Sequence, residues 1–494
     1  MSDSLHAGDL RGSANRGKIV ASVALLTFLY AMMVLPAAIY NPMASFDEAW
    51  YASVGRNVLH SGDWLTFYYN GEPFWEKPPL FLWTTAVSFK LFGVSDFASR
   101  IFTMGCGLAC LLAVFGFVRR EVNVAVALLT GLVLLGAQDF VRFSAKGQMD
   151  IPVTLFLTLQ LISFWRARGR PNAFWMSGLW MGLAIATKNQ VGVLGVIIEV
   201  AYMIVAWDLA PLRQWRWYAR FGIVAAIGLP WYLHQYVVHG AAFLDWFYYK
   251  NYSFADDFND HLFYTRYLVE RHNVLVVMML FGAGWAVYRR VTANEKLPML
   301  MACWALVIPG MFSYFGAPHY WYIVPMYPGV AILAGLAING LPVWERWPRP
   351  VMGVLGCWAV IFQASFYLPL PKQEALWAAK GLVPTIQGEV PQEETIFLLM
   401  ESDGRNKKAI HIPAAHYYFD HVSREVRDPG RVEDTVGSKG PFFAVGRIDV
   451  VEETYRSKLP AHRMELVKQQ GDSGLYRFVP TQLASEPSNM SNVK

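Results

Sequence analysis

Residues 41–79 read NPMASFDEAWYASVGRNVLHSGDWLTFYYNGEPFWEKPP and join the first long apolar segment to the next. Asp47 and Glu48 stand just beyond the end of that segment, and Glu76 and Lys77 just ahead of a double proline. Charged groups at the mouth of a membrane helix are costly to keep there, so their presence marks a site of use. The stretch points to chemistry at a membrane surface.

The rest of the chain agrees with a membrane setting. Of 494 residues, 55% are hydrophobic and only 16% charged, with mean hydropathy +0.29. Soluble domains carry nearer about a quarter charged residues. Residues 371–494 hold 33 of the charges in 124 positions, against 46 spread over the first 370. A membrane part therefore gives way to a soluble part near Pro369–Pro371. The net charge of +5 belongs to the membrane part and has no patch organised for nucleic acid, which is excluded as a partner. Cys106, Cys110, Cys303 and Cys357 all fall in apolar runs, where the small-hydrophobe role is favoured over a metal or disulfide role.

Ile19–Tyr40 follows Arg11, Arg16 and Lys18 and is too long for a signal-peptide core, so it reads as an uncleaved first helix. Apolar runs near 19–40, 97–118, 122–140, 151–166, 173–188, 190–207, 219–238, 272–288, 297–315, 319–340 and 350–369 give eleven candidate spans. Leu80–Gly93 differs: at about 1.5 Å per residue it reaches only about 21 Å, short of the bilayer core, and reads as an interfacial helix.

The basic clusters Arg11/Arg16/Lys18, Arg119/Arg120, Arg166/Arg168/Arg170, Arg213/Arg216/Arg220, Arg289/Arg290 and Arg346/Arg349 then fall on one side. The positive-inside rule puts the N-terminus in the cytoplasm, and an odd span count puts the soluble part outside. The outer face collects residues 41–79, 138–150, 187–190, 238–272 and 315–322.

The domains expected are a cytoplasmic N-terminus (1–18), a transmembrane catalytic domain (19–370, with 41–96 as first external loop), an external domain (371–480) and a disordered tail (481–494). In the external domain, β-type runs lie at Thr395–Met400, Ala414–Phe419, Pro441–Val445 and Leu475–Val479, with helical stretches near Gln373–Gly381 and Val450–Lys458. That pattern is a small α/β domain.

Within the opening stretch, Trp50, Val54, Val58 and Leu59 are spaced as on an amphipathic helix lying along the membrane. A plainer role for its acids is to favour the helix dipole, with Ser45 as cap.

The ordered motifs carry a resemblance. Asp47-Glu48-x-x-Tyr51, Ser61-Gly62-Asp63-Trp64, Asn70-Gly71-x-Pro73 and Glu76-Lys77-Pro78-Pro79 occur in the order found in the first external loop of bacterial GT-C glycosyltransferases. The group it resembles is the lipid A aminoarabinose transferases, akin to protein O-mannosyltransferases. RFSAKGQMDIP (142–152) resembles the second-loop motif that supplies another acid, here Asp150. TKNQVGVLG (187–195) resembles a Thr-Lys-Gly-Pro turn, with Asn189 and Gln190 in place of Gly-Pro. Residues 312–335 resemble the segment before a late helix, with Ala317 where Lys is common. The likeness spans the membrane part and is weaker beyond it.

The resemblance implies a GT-C fold: a polytopic α-helical membrane protein of about eleven spans with interfacial helices in the first loop, plus the small C-terminal α/β domain. It implies a bacterial inner-membrane enzyme with the external domain in the periplasm. It would move a sugar from a polyprenyl-phosphate donor to a cell-envelope glycolipid or polysaccharide, with inversion. A protein O-mannosyltransferase is the alternative acceptor reading. A polyprenyl-lipid flippase is a further alternative, disfavoured because the charges gather at one face with no internal repeat.

The residue types fit the transfer independently. Displacement at an anomeric carbon uses a carboxylate to orient or deprotonate the acceptor, and cations to take the departing phosphate. Asp47 and Asp150 are the catalytic candidates. Lys77, Lys188, Arg142 and Lys146 are the phosphate candidates, set against lysines that merely snorkel. Glu48, Tyr51, Glu76, His319 and Tyr320 complete the binding set. A divalent metal ion is optional, with Glu76 and His319 as its only candidate ligands. The aromatic loop 246–261, WFYYKNYSFADDFNDH, could stack on sugar or serve as belt residues.

Overall fold

The computed structural model describes residues 2–43, 46–252, 260–316, 319–367, 374–399, 412–426, 428, 432–436 and 440–481. Ser45, the aromatic-loop residues 253–259, Ala317 and the expected tail after Thr481 lie outside the described residues.

In chain order, α1 (Ser2–Tyr40) precedes α2 (Phe46–Ser61), a hairpin of β1 (Tyr68–Tyr69) and β2 (Glu72–Pro73), and α3 (Pro79–Phe92). Next come α4 (Asp96–Glu121), α5 (Val124–Gly136), α6 (Gln138–Ser144), α7 (Asp150–Arg166), α8 (Ala173–Lys188) and α9 (Leu194–Val205). Then follow α10 (Trp215–Gly228), α11 (Pro230–His239), α12 (Ala241–Tyr252), α13 (Phe263–Arg271) and α14 (Asn273–Ala293). The helical part ends with α15 (Leu297–Tyr314), α16 (Tyr327–Asn339), α17 (Pro342–Arg346) and α18 (Pro348–Tyr367). The remainder comprises α19 (Glu374–Glu389), β3 (Ile396–Leu399), α20 (Ile412–Phe419), β4 (Ser423–Val426), α21 (Val432–Val436), β5 (Phe442–Arg447), α22 (Ile448–Val450), β6 (His462–Gln470) and β7 (Ser473–Pro480).

Two compact units emerge. One contains residues 1–40, 63–66 and 75–369; the other contains 41–62, 67–74 and 370–494. The linear boundary near residue 370 is thus crossed by the first external loop, most of which clusters with the C-terminal residues.

The first unit is helical because hydrocarbon offers backbone amides no partner outside the helix itself. Among the described residues, each of the eleven apolar runs lies mainly on helix. Arg16–Tyr40, Asp96–Glu121, Asn273–Ala293, Leu297–Tyr314 and Tyr320–Asn339 are long and apolar enough to cross a membrane alone. Two further runs are bent: α5 and α6 meet at 74°, and α10 and α11 at 44°. The second bend has a covalent cause, since Pro230 lacks the amide that would continue α10. The first occurs at Ala137, whose ψ of 99° is extended. The run 122–140 is therefore a broken helix rather than one straight span. Leu80–Gly93 is the short apolar helix expected, closed by Gly93 at φ 79°.

Helices α4 and α5 start on side-chain caps, Ser95 accepting from the Ala98 amide and Asn123 from that of Val126. The core gathers where α7 packs on α8 and α4, α8 on α10, and α16 on α5, α14 and α15. The α5–α16 approach needs Gly335, where a Cβ would collide with Thr130 Oγ1.

One basic cluster is corrected. Arg220 is not a loop charge: it is fully buried and paired with Glu199, with Ser177 and Trp217 completing the network. An ionised pair at that depth persists because each partner neutralises the other.

The second unit holds a five-stranded sheet in the order β4-β3-β5-β7-β6. β3 runs parallel to β4 and β5, while β7 is antiparallel to β5 and β6. Strands were expected over Thr395–Met400, Pro441–Val445 and Leu475–Val479, and β3, β5 and β7 lie there. Ala414–Phe419 instead belongs to helix α20, and these six residues are all buried. A short apolar run buried on all sides has no period to separate strand from helix. β4 and β6 carry mixed, polar-rich sequence and were not anticipated.

The Asn-Gly motif is a turn. Asn70 (φ 52°) and Gly71 (φ 88°) link β1 to β2 in the two-residue loop that requires left-handed backbone at both positions.

Candidate active site

Asp150 opens α7 and Lys188 closes α8, and the short link between these helices returns the chain to the same end. Lys188 Nζ there donates to Asp150 Oδ1, both side chains being nearly buried. The acid sits at a helix start and the base at a helix end, so each also favours its own helix dipole. Lys188 Nζ further lies 5.0 Å from the centre of the Tyr322 ring. Lys188 does not snorkel; it is fixed.

Beyond it, Asn189 takes φ 44° and the chain turns sharply. A Cβ at Gly192 would strike the backbone of Ala184 and Ile185, so the turn tolerates no side chain there. Asn189 Nδ2 donates to the Glu76 carbonyl at 3.3 Å, and Tyr232 OH donates to Asn189 Oδ1 at 2.6 Å. The departure from Gly-Pro is thus used: Asn189 ties the Glu-Lys-Pro-Pro segment to the Lys188 turn.

His319, one residue ahead of the span Tyr320–Asn339, joins this group. Burial holds its imidazole below the ordinary range, and the positive fields of Lys188 and Lys77 add to that, with Asp150 opposing. His319 stacks on Trp321 at 4.7 Å and meets the Tyr322 ring edge-on at 5.0 Å. Lys77, Asp150, Lys188 and His319 therefore share one electrostatic neighbourhood.

Arg142 and Tyr320 form an adjoining pair, the guanidinium 5.2 Å from the ring centre. Lys146 lies 5.3 Å from the Phe143 ring. Behind them is a cluster the sequence reading missed. The buried Asp139 carboxylate accepts from Tyr267 OH (2.9 Å), Tyr327 OH (2.9 Å) and His272 Nε2 (3.0 Å). Tyr267 stacks on Tyr320 at 5.7 Å, which links the cluster to Arg142. A signal existed: Asp139 and His272 each stand at the rim of an apolar run, where an ionisable group calls for a named partner.

An apolar pocket of about 500 Å³ opens beside Asn189. Ile185, Val193, Leu229, Leu233, Phe243 and Phe247 are among its walls. Such walls suit a hydrocarbon chain.

In the second unit, Asp47 lies half-buried in the first turn of α2, while Glu48 and Tyr51 are buried and Tyr51 stacks on Trp50. Much of α2 is covered by protein: Ala49, Ser53, Val54, Arg56 and Val58 are buried. For metal, no group of three or more His, Cys, Asp or Glu side chains able to hold an ion occurs among the described residues, so Glu76 and His319 gain no third ligand.

Comparison with known proteins shows what this chain is similar to. Residues 76–234, from Glu76 through the Asp150 and Lys188 helices, match the family described as dolichyl-phosphate-mannose-protein mannosyltransferase. A protein of Aquifex aeolicus is 28% identical over 67% of this chain and 66% of its own length. An undecaprenyl phosphate-alpha-4-amino-4-deoxy-L-arabinose arabinosyl transferase of Shewanella sediminis is 26% identical over 66% of this chain and 61% of its own. The chain thus spans less than two thirds of the length of these relatives. Among solved structures, ArnT from Cupriavidus metallidurans bound to undecaprenyl phosphate superposes with TM-score 0.75 at 17% identity, covering 97% of this chain and 99% of that one. The Archaeoglobus fulgidus oligosaccharyltransferase gives 0.54 at 12% identity, covering 95% and 74%. The fold is that of ArnT, several helices are long and apolar enough to cross a membrane, and the sequence is similar to aminoarabinose transferases and, over residues 76–234, to the protein-mannosyltransferase family.

Proposed function

We propose that this protein transfers a sugar from a polyprenyl-phosphate donor to a cell-envelope glycolipid or polysaccharide at the periplasmic face. The observation that carries the reading is the charged group Lys77, Lys188, Asp150 and His319 next to an apolar pocket reached through Asn189. One end suits a phosphate and the other a polyprenyl chain.

In this reading an acceptor oxygen attacks the anomeric carbon from the face opposite the phosphate. The carbon–oxygen bond to phosphate breaks, and polyprenyl phosphate leaves with the electron pair. Lys188 and Lys77 stabilise that leaving anion, and Asp150 holds Lys188 in place. When the acceptor is a hydroxyl, the proton goes to the Asp47 carboxylate; when it is already a phosphate, Asp47 only orients it. Arg142 and Lys146 are supplementary cations, and Glu48, Tyr51, Glu76 and Tyr320 shape the substrate sites. The N-terminus is cytoplasmic and the C-terminal unit external. The match to the mannosyltransferase family supports a second reading, in which the acceptor is a protein hydroxyl.

Mass spectrometry of envelope glycolipids, glycans and glycoproteins from a deletion strain identifies sugar and acceptor together. Complementation with Asp47→Asn is expected to leave the deletion phenotype in place while the protein accumulates in the membrane. Full restoration by that variant would remove Asp47 from the mechanism.

A further inference from the structure

One eight-residue stretch of the C-terminal unit, His416–Ser423, holds the first external loop at three separate points. Ahead of α2, the Met43 amide donates to Tyr418 OH at 2.8 Å. Midway along α2, Arg56 is 4% exposed and pairs with Asp420 at 2.9 Å. The same guanidinium donates to the carbonyls of Tyr417 (2.6 Å) and His416 (3.0 Å). Past α2, Asn70 in the hairpin turn exchanges two hydrogen bonds with Ser423, its Nδ2 donating to the carbonyl and its Oδ1 accepting from the amide. Tyr69 meets the His416 ring edge-on at 5.2 Å.

These contacts are more than a packing face needs. A planar guanidinium whose two terminal nitrogens donate to one carboxylate and two carbonyls fixes orientation as well as distance. Asp47 lies in the first turn of α2, nine residues ahead of Arg56 on the same rigid helix. Whatever fixes the rotation of α2 fixes the direction of that carboxylate.

We infer that the C-terminal unit serves sugar transfer by positioning the loop helix that presents Asp47, with Arg56 as the positioning residue and His416–Ser423 as its seat. The inference rests on the proposed role of Asp47. Arg56 touches no substrate in this scheme. Misplacing a reacting group by about an ångström costs on the order of a hundredfold in rate, so loosening the seat slows transfer without weakening donor binding.

The test uses the full chain in lipid nanodiscs and in the complemented deletion strain. Arg56→Ala is expected to lower the wild-type-dependent glycan signal at least about tenfold, while the affinity for undecaprenyl phosphate stays within about twofold of wild type. Arg56→Lys, which keeps the charge but not the fork, is expected to recover part of the rate. A purely structural role would instead reduce rate and lipid affinity together. Wild-type transfer by Arg56→Ala, with Asp47→Asn inactive, overturns the inference and leaves the proposed function intact. Wild-type transfer by Asp47→Asn overturns the reading on which both depend. If Arg56→Ala does not accumulate, Asn70→Gly decides by the same two measurements, because it removes the hairpin anchor while keeping the left-handed turn.

Discussion

Lys188 donates to Asp150 across a helix pair, the last residue of α8 reaching the first of α7. The pair is nearly buried yet lies in the neighbourhood of Lys77 and His319. It combines a structural bond with a cation placed for an anion.

Lys188→Met is therefore expected to reduce undecaprenyl phosphate affinity by at least tenfold, roughly one charge-assisted contact. It also leaves Asp150 without its cation, so a loss of up to about 3–5 kcal/mol in stability accompanies it. Lipid titration and thermal unfolding in detergent measure the two effects. Unchanged affinity in folded Lys188→Met would exclude it as a phosphate ligand.

Asp139→Leu removes the acceptor shared by Tyr267, Tyr327 and His272. Each stranded buried donor costs about 1–3 kcal/mol, so the variant is expected to be among the least stable single substitutions in the helical unit. Asp139→Asn keeps an acceptor oxygen and should lose less. Melting temperatures of the two variants that coincide with wild type would show the cluster to be slack.

Glu199→Gln alone leaves Arg220 charged and buried, with an expected cost of about 3–5 kcal/mol. The double variant Glu199→Gln, Arg220→Met removes the stranded charge and should recover most of that loss. Denaturation of both proteins in the same detergent makes the comparison, and a double variant worse than the single one contradicts it.

His416 gives the C-terminal unit a pH dependence. Burial pushes its imidazole down to about 4, the cation of Arg56 adding to this, while the hydrogen bond to the His421 carbonyl opposes it. The unfolded chain binds a proton near pH 6.5 that the folded chain refuses until about 4. Stability therefore is full above pH 6.5 and falls as pH drops toward about 4, by at most about 3 kcal/mol. Amide exchange in β3–β7 and α2 between pH 4 and 7 should speed up on the acid side. Replacement of His416 by Asn should flatten the profile.

Much of the candidate site was legible in the chain because it is written in short contiguous motifs. Glu76-Lys77-Pro78-Pro79, Asp150 and Lys188 each sit at a helix terminus, and termini are readable where apolar runs stop. Asp139 and His272 were passed over because each looks like the edge of a span when read alone. Only folding brings together two residues 133 apart in sequence. Helix α20 was misread for a related reason: an apolar run buried on every side has no exposed face to set a period.

The sequence by itself determined the membrane character, the helical runs and their ends, and the motifs that carry the resemblance. These follow from local hydrophobicity and from backbone groups that must be satisfied within each helix. Tertiary structure alone decided that the opening stretch, residues 41–79, is divided between two units. Its Glu-Lys-Pro-Pro end is tied to the Lys188 turn by Asn189, whereas its Asp47 helix is seated on His416–Ser423, more than 350 residues away in the chain. Such pairings depend on hydrogen bonds between distant segments, and no local pattern of residues encodes them.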